Sequence, residues 1–255
     1  MIITDTHTHI YSDAFDEDRK AMIERAIEAN VTRFFIPAID SEYTEAMLQL
    51  EIDFPEHVFL MTGLHPTSVK ENYKKELQHV EGLLSKRKFV AIGEIGIDLY
   101  WDKSTLKIQQ EAFKHQIQLA KQYHLPIVIH CRDAFEEIFE VLETEKSDDL
   151  FGIFHCFTGD LEQAKRAISL NMKLGIGGVV TFKNGGLDRF LNQIDLKHIV
   201  LETDSPYLAP APYRGKRNES GYIIKVLEKL SELYGVSQKE IAQITTENSK
   251  AIFKV

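Results

Sequence analysis

Apolar residues arrive in short runs along this chain, and the runs recur at intervals that suit strands separated by helices. Eight strand-like segments can be placed, at 2–7, 32–37, 58–63, 89–94, 126–130, 151–155, 172–176 and 199–203. Between them the apolar positions follow helical spacing. The stretch from Arg19 to Asn30, for example, carries Met22, Ile23, Ala26 and Ile27 on one face. Asp16 is predicted to cap this first helix, and Ser104 the long one that runs to about His124. Pro126 opens the fifth strand, where its missing N–H costs little. Apolar strands alternating with amphipathic helices predict an α/β protein with a parallel sheet covered by helices. Eight repeats favour closure into a single (β/α)8 TIM barrel over an open doubly wound sheet. The last part, 219–255, reads as two or three helices closing the barrel, with Asn248 and Ser249 near the last.

Length agrees with this reading, since 255 residues is close to the roughly 250 typical of such a barrel. No Gly-x-Gly-x-x-Gly follows the first strand, where a dinucleotide fold would carry it. Gly175-x-Gly-Gly and Gly185-Gly186 come late and lack that context. No linker rich in Pro, Ser or Gly divides the chain, so 1–255 is expected to be one domain. No apolar stretch approaches the ~20 residues of a spanning helix. The start, Met-Ile-Ile-Thr-Asp, lacks the basic region of a signal peptide. A soluble, cytoplasmic protein without membrane association is expected, and no obligate protein partner is evident.

Charge and cysteine narrow the chemistry. A formal net charge of −9 argues against extended contact with duplex nucleic acid, while leaving room for short or single-stranded nucleic acid at a local positive site. The one compact basic run is Arg214-Gly215-Lys216-Arg217, which reads equally as a solvated loop. Cys131 and Cys156 are too few for a disulfide framework. Each directly follows a candidate ligand His, so strand alternation is expected to turn it away from the His face and into apolar packing.

Six residues that make good metal ligands fall at the ends of the strand-like runs. They are His7 and His9, Glu94, His130, His155 and Asp204. The C-terminal ends of the strands are where a parallel barrel keeps its active site, and imidazole with carboxylate suits zinc-type divalent metals. His7 and His9 lie two apart and share a face, so both can grip one ion. Glu94 has two oxygens and can bridge two metals; the alternative is a buried Glu paired with Lys or Arg. His130 and His155 can supply a second ion. Asp204 ends the eighth strand, beside the first in a closed barrel, where it can bind metal and accept a proton.

Further candidates surround these six. Asp5 shares parity with His7 and is a candidate acceptor fixing a His tautomer, with a local structural bond as the alternative. Glu202 shares parity with Asp204 and is a candidate of the same kind. Arg132 offers a planar fork for a phosphate, or a salt bridge to Glu136, Asp133 or a neighbouring loop. His65 ends the third strand and is a candidate substrate contact. Asp98 reads as a cap or turn residue. His57, His79, His115, His124 and His198 fall on helices or in loops and read as surface or capping residues.

With these residues placed, the chain resembles the TatD family of metal-dependent deoxyribonucleases, within the amidohydrolase-like TIM barrels. The matching pieces are Asp5-Thr-His-Thr-His9, Gly63-Leu-His-Pro66, Gly93-Glu-Ile-Gly-Ile-Asp98, His130-Cys-Arg132, His155-Cys-Phe-Thr-Gly159 and Glu202-Thr-Asp-Ser-Pro-Tyr-Leu208. They run in family order, and the segment from Arg214 to Glu219 is similar to the loop that follows in the family. Two departures are Leu99 before Tyr100-Trp101, where an aromatic is usual, and Ser220, where a Pro is common. The resemblance implies two divalent ions, one on His7, His9 and Asp204, the other on His130 and His155, with Glu94 shared. Imidazole-rich ligation favours zinc or manganese, with magnesium the oxygen-preferring alternative. It further implies hydrolysis of DNA, single-stranded or at ends, by a metal-bound hydroxide. Two ions against Glu94, Asp204 and one hydroxide leave a positive site, which suits an anionic phosphodiester. A D-aminoacyl-tRNA deacylase, or a small-molecule amidase or phosphoesterase, fits the same barrel. A non-catalytic metal-binding scaffold is a rival of another class, disfavoured by the completeness of the ligand set.

Overall fold

The computed structural model describes residues 1–255. Its strands are β1 (Ile3–Asp5), β2 (Val31–Ile36), β3 (Val58–Leu60), β4 (Ile92–Asp98), β5 (Ile127–Arg132), β6 (Gly152–Phe154), β7 (Met172–Ile176) and β8 (Ile199–Leu201). All pairings are parallel and follow chain order, in one arc from β1 to β3 and another from β4 to β8. Backbone hydrogen bonds sew the two arcs together. At one seam Val90 donates to Leu60 O at 3.0 Å and Gly93 to Thr62 O at 2.9 Å. At the other, Thr6 donates to Leu201 O and Asp204 to His7 O, both at 2.9 Å. The result is the closed eight-stranded TIM barrel that the repeat pattern predicts.

Helices α1 (Arg19–Glu28), α2 (Thr44–Asp53), α3 (Tyr73–Leu84), α4 (Leu106–Tyr123), α5 (Phe135–Thr144) and α6 (Leu161–Ser169) follow the first six strands in turn. Between β7 and β8 the chain forms only short 3-10 turns, such as Gly178–Thr181 and Leu196–His198. After β8 come α7 (Ile223–Tyr234) and α8 (Gln238–Phe253), and α8 packs across β8 and β1 as the expected closing helix. No helix is long and apolar enough to cross a membrane.

Strand alternation sorts the core into two sets. Phe34, Ile36, Ile127, Ile129 and Phe154 face the helices within the large apolar cluster. Phe35, Met61, Val128, Ile153 and Val200 form a separate cluster with Phe253 and fill the barrel interior. His130, His155 and Glu202 lie two residues beyond Val128, Ile153 and Val200. They therefore stand on the same inner face, one layer nearer the C-terminal mouth.

Local details depart from the sequence reading in three places. Residue Asp16 does not cap α1. A 3-10 turn over Asp13–Phe15 precedes the helix, Asp18 takes the capping position without a side-chain bond, and Asp16 pairs with Arg19 at 2.6 Å. Nor does Ser104 cap α4, because it lies inside the turn Lys103–Thr105 and donates its own N–H to Asp102 Oδ1 at 2.9 Å. Finally, β4 runs over Ile92–Asp98 rather than 89–94, since its pairing with β5 continues to Asp98 opposite Arg132. Gly96 permits that approach: a Cβ there would lie 2.1 Å from His130 O.

Candidate active site

The cluster at the mouth is assembled from strand ends and from one irregularity. β1 stops at Asp5, and the next residues continue along the barrel because Thr8 donates to Phe35 O at 3.1 Å and His9 to Ser205 O at 2.8 Å. Glu94 occupies the register shift of β4, between Gly93 opposite Val128 and Ile95 opposite Ile129. A residue inserted into a ladder in this way is freed from strand alternation, and bulges of this kind re-aim side chains beside active sites. His155 is the first residue past β6, and Asp204 lies three past β8 with φ 55°.

Glu94 is the hub. Its Oε2 lies 3.0 Å from His7 Nε2 and 3.7 Å from His9 Nε2. Its Oε1 lies 2.7 Å from His130 Nδ1, 3.0 Å from His155 Nε2 and 3.3 Å from His65 Nε2. The two oxygens of one buried carboxylate thus face two separate groups of imidazoles. Asp204 joins the first group, with Oδ1 at 3.4 Å from His9 Nε2 and 3.9 Å from His7 Nε2. The rings of His7 and His155 stack at 3.7 Å between centroids, which brings the two groups side by side.

Burial and charge pull these groups apart in their acidity. Burial works against the Glu94 carboxylate, yet His155, His65 and His7 overcome it and hold Glu94 well below the usual carboxylate range. Burial also opposes protonation of His155, and Glu94 with Glu202 outweighs it, so His155 lies well above the ordinary imidazole value. His7 is pushed down by burial and by the adjacent His155, and His65 chiefly by burial. Asp204 is burdened by burial but lowered by His9 and His155, so it stands ionised.

A ring of partners holds the cluster in place. Tyr11 Oη sits 2.8 Å from His9 Nδ1, leaving Nε2 turned to the carboxylates. Asp98 Oδ2 lies 2.9 Å from His130 Nε2. Glu202 Oε1 accepts from the Cys156 N–H at 2.6 Å and lies 3.3 Å from His155 Nδ1. Asp5 touches no imidazole. Its Oδ1 accepts from the backbone N–H of Thr203 at 2.9 Å and of His7 at 3.4 Å, so it braces the β1 and β8 ends rather than setting a tautomer. Fully buried, Asp5 is raised to about 7.

The donor set fits divalent metal. Three overlapping groups each bring their ligand atoms within 4.8 Å of one another: His7, His155 and Asp204; His7, His9 and Glu94; His65, Glu94 and His130. Buried polar atoms normally find partners. Here His7 Nδ1, His155 Nδ1 and Glu202 Oε2 have none with hydrogen-bond geometry, while His7 and His155 turn their other nitrogen, Nε2, to Glu94. Imidazoles packed around carboxylates in this way, with nitrogen and oxygen donors converging, match what zinc-type ions take. His9, His65, Glu94, His130, His155 and Asp204 all line one open cavity of about 600 Å³.

The family model described as TatD related DNase matches residues 4–254. The chain belongs to the TatD family. It is 40% identical, over the full length of both proteins, to the "uncharacterized metal-dependent hydrolase YabD" of Bacillus subtilis. The crystal structure of YjjV, a TatD homologue from Escherichia coli, superposes with a TM-score of 0.93 at 30% identity, covering 99% of this chain and 98% of that one. A relative from Pectobacterium parmentieri, named 3'-5' ssDNA/RNA exonuclease TatD, is 28% identical over 98% of this chain and 99% of its own length. This TatD chain is accordingly a metal-dependent hydrolase.

Within this TatD barrel the structure brings together every one of the six strand-end residues, and places His65, the candidate substrate contact, at the cavity wall with Nε2 3.3 Å from Glu94 Oε1. Arg132 makes no pair with Asp133 or Glu136. Glu136 pairs with Arg166 at 2.8 Å, and the Arg132 guanidinium lies 3.8 Å from the Tyr100 ring centre. The basic run is largely tied down, with Arg217 paired to Asp18 at 2.7 Å and Arg214 over Phe182 at 3.7 Å. The cysteines are only half-buried, and both line the cavity. Alternation fails for Cys156, whose φ is 43° as the chain leaves β6. The other five histidines stay outside the site, as expected; His79, for example, bonds Thr44 and His115 bonds Glu81. Sequence reasoning missed Tyr11 and Asp98 as members of the site. Tyr11 was accessible by parity, being two beyond His9. Asp98 shares parity with Glu94 as well, but it reads as a turn residue when the strand is ended at 94, whereas β4 continues to Asp98.

Proposed function

We propose that this TatD-family hydrolase is an exonuclease that cleaves phosphodiesters in single-stranded DNA or at DNA ends. The observation that carries the reading is Glu94, one carboxylate with each oxygen turned to a different group of imidazoles. That division supports two divalent ions, zinc or manganese by donor type, with Glu94 shared. His7, His9 and Asp204 would hold one and His130 and His155 the other, and residues 1–255 act as one catalytic domain. Such ions, when bound, lower the pKa of water and neutralise charge on a phosphoryl group. Asp204, ionised beside His9, accepts the proton of the attacking water. His65 and Arg132, at the cavity wall, bind the substrate phosphate. Tyr11, Asp98 and Glu202 keep imidazoles oriented, and Asp5 keeps the two strand ends in register. The name of the Pectobacterium relative supports a nucleic-acid substrate, and the net charge of −9 favours a short single strand over a long duplex footprint.

Metal-replete protein should shorten an end-labelled single-stranded oligonucleotide progressively, faster than its duplex form, and lose that activity in EDTA until zinc or manganese is restored. Parallel assays on a D-aminoacyl-tRNA and on simple amides and lactones complete the test. Turnover of one of those with the oligonucleotide untouched overturns the nuclease reading.

A further inference from the structure

Trp101 is the single tryptophan of the chain, and it is 71% exposed at the cavity that holds Glu94 and Asp204. Its neighbour Tyr100 is also exposed, and the two rings meet edge to face at 4.9 Å. A lone exposed aromatic is ordinary on a protein surface. This pair differs in how it is held and in what stands next to it. Asp98 Oδ1 accepts the N–H of Tyr100 at 3.0 Å and of Trp101 at 3.4 Å. The other oxygen of the same carboxylate touches His130 Nε2, so the backbone that carries the aromatic pair is tied to the imidazole cluster. Arg132, paired with Asp98 across β4 and β5, lays its guanidinium on Tyr100 and within 5.5 Å of the Trp101 centre. Asp98 bonds His130 and Glu136 pairs with Arg166, and Arg132 forms no ion pair of its own, so its fork remains open to an anion.

We infer that Tyr100, Trp101 and Arg132 form a stacking subsite for one unpaired nucleobase, set beside the phosphodiester that lies at Glu94. The inference rests on the nuclease reading and adds how a single strand is recognised. Every base offers a π-face to an indole, so the subsite is indifferent to sequence. A base inside a duplex has both faces covered by its neighbours and cannot be received. Arg132, stacked from behind by Tyr100, presents N–H donors to the phosphate next to that base.

Trp101 itself supplies the measurement. Metal-replete protein is titrated with a phosphorothioate hexathymidylate, which resists cleavage, and with an abasic phosphorothioate of the same length, while tryptophan fluorescence is followed. Saturable quenching by the first and little by the second is expected. In parallel, kcat/KM is measured on ordinary hexathymidylate and on its abasic counterpart. The preference for the base-bearing strand should fall about tenfold in Trp101→Ala and persist in Trp101→Phe, the scale of one base–aromatic stack. Equal quenching by both strands, or an unchanged preference in Trp101→Ala, overturns the subsite while leaving nuclease activity standing. A wild-type protein that neither binds nor cleaves any oligonucleotide overturns the nuclease reading and the subsite together.

Discussion

Asp204 occupies the left-handed region of backbone space, with φ 55°, and from there its carboxylate meets His9 and His7. Asn tolerates that conformation as well as Asp does, so Asp204→Asn removes charge and basicity without disturbing the backbone. Turnover is expected to fall roughly 100-fold or more, the scale of acid–base catalysis, with fold and most bound metal retained. Steady-state rates and metal content on one preparation check this; a variant within about threefold of wild type leaves Asp204 without the proton-accepting role. At this scale much of the site is legible in sequence, because His and Asp rarely close apolar runs by accident. Residues whose roles depend on a particular contact are not legible. The Asp98 carboxylate, which binds His130 with one oxygen and two backbone N–H groups with the other, reads in sequence as a turn residue.

The elements explain where that legibility stops. Strand and helix order follow from periodicity, but a bulge is a break in periodicity, and the one in β4 is what aims Glu94. Gly96, with φ 141°, completes the strand by letting His130 O approach to where a side chain would stand. Gly96→Ala is expected to cost about 2–4 kcal/mol in stability, from a contact that only main-chain movement can relieve. A thermal midpoint unchanged from wild type would show that β4 can yield there. The caps, though not the start of α1 at Arg19, differ from the sequence reading for a related reason, since short 3-10 turns take up the residues that look like caps.

The residue that takes the capping position of α1 has another task. Asp18 bonds Arg217 and Arg25, and so ties the segment after β8 to α1. Arg217 foremost, with Arg25, overcomes the opposing effect of burial and holds Asp18 down at about 2. Its folded value is depressed, so the stabilisation is present above the ordinary value near 4 and is lost as pH falls through about 2. Side-chain exposure of 32% screens the pair, which keeps the effect local. Amide exchange across 214–219 should therefore quicken, relative to other loops, between pH 4 and 2, and Asp18→Asn should show the same loosening at pH 7. Equal protection of that segment in both proteins at pH 7 would assign the anchoring elsewhere.

Over the whole molecule, closure is what makes the site. The residues come from β1, β4, β5, β6 and β8 or just beyond them, and only the seam where Thr6 meets Leu201 brings His7 and His9 beside Asp204. Eightfold repetition makes that closure readable from the chain, whereas the inward convergence of buried imidazoles and carboxylates has a thermodynamic consequence that repetition does not reveal. A ligand set assembled only by the closed barrel scarcely exists in the unfolded chain, so metal that binds there stabilises the fold by mass action. At a hundred times Kd the gain is about 2.7 kcal/mol for one ion. A chain of this size shifts its midpoint by roughly 2–4 °C for each kcal/mol, which places the metal-dependent rise in Tm at about 5–10 °C. Because Glu94 touches both imidazole groups, Glu94→Ala should abolish most of the rise and reduce metal content at both positions together, whereas loss of one ligand from one group should leave part of it. Scanning calorimetry with and without EDTA, on wild type and Glu94→Ala, decides the matter. A wild-type midpoint indifferent to EDTA would mean that the cluster holds no structural or catalytic ion, and a variant retaining two tightly bound ions would remove Glu94 from the shared position.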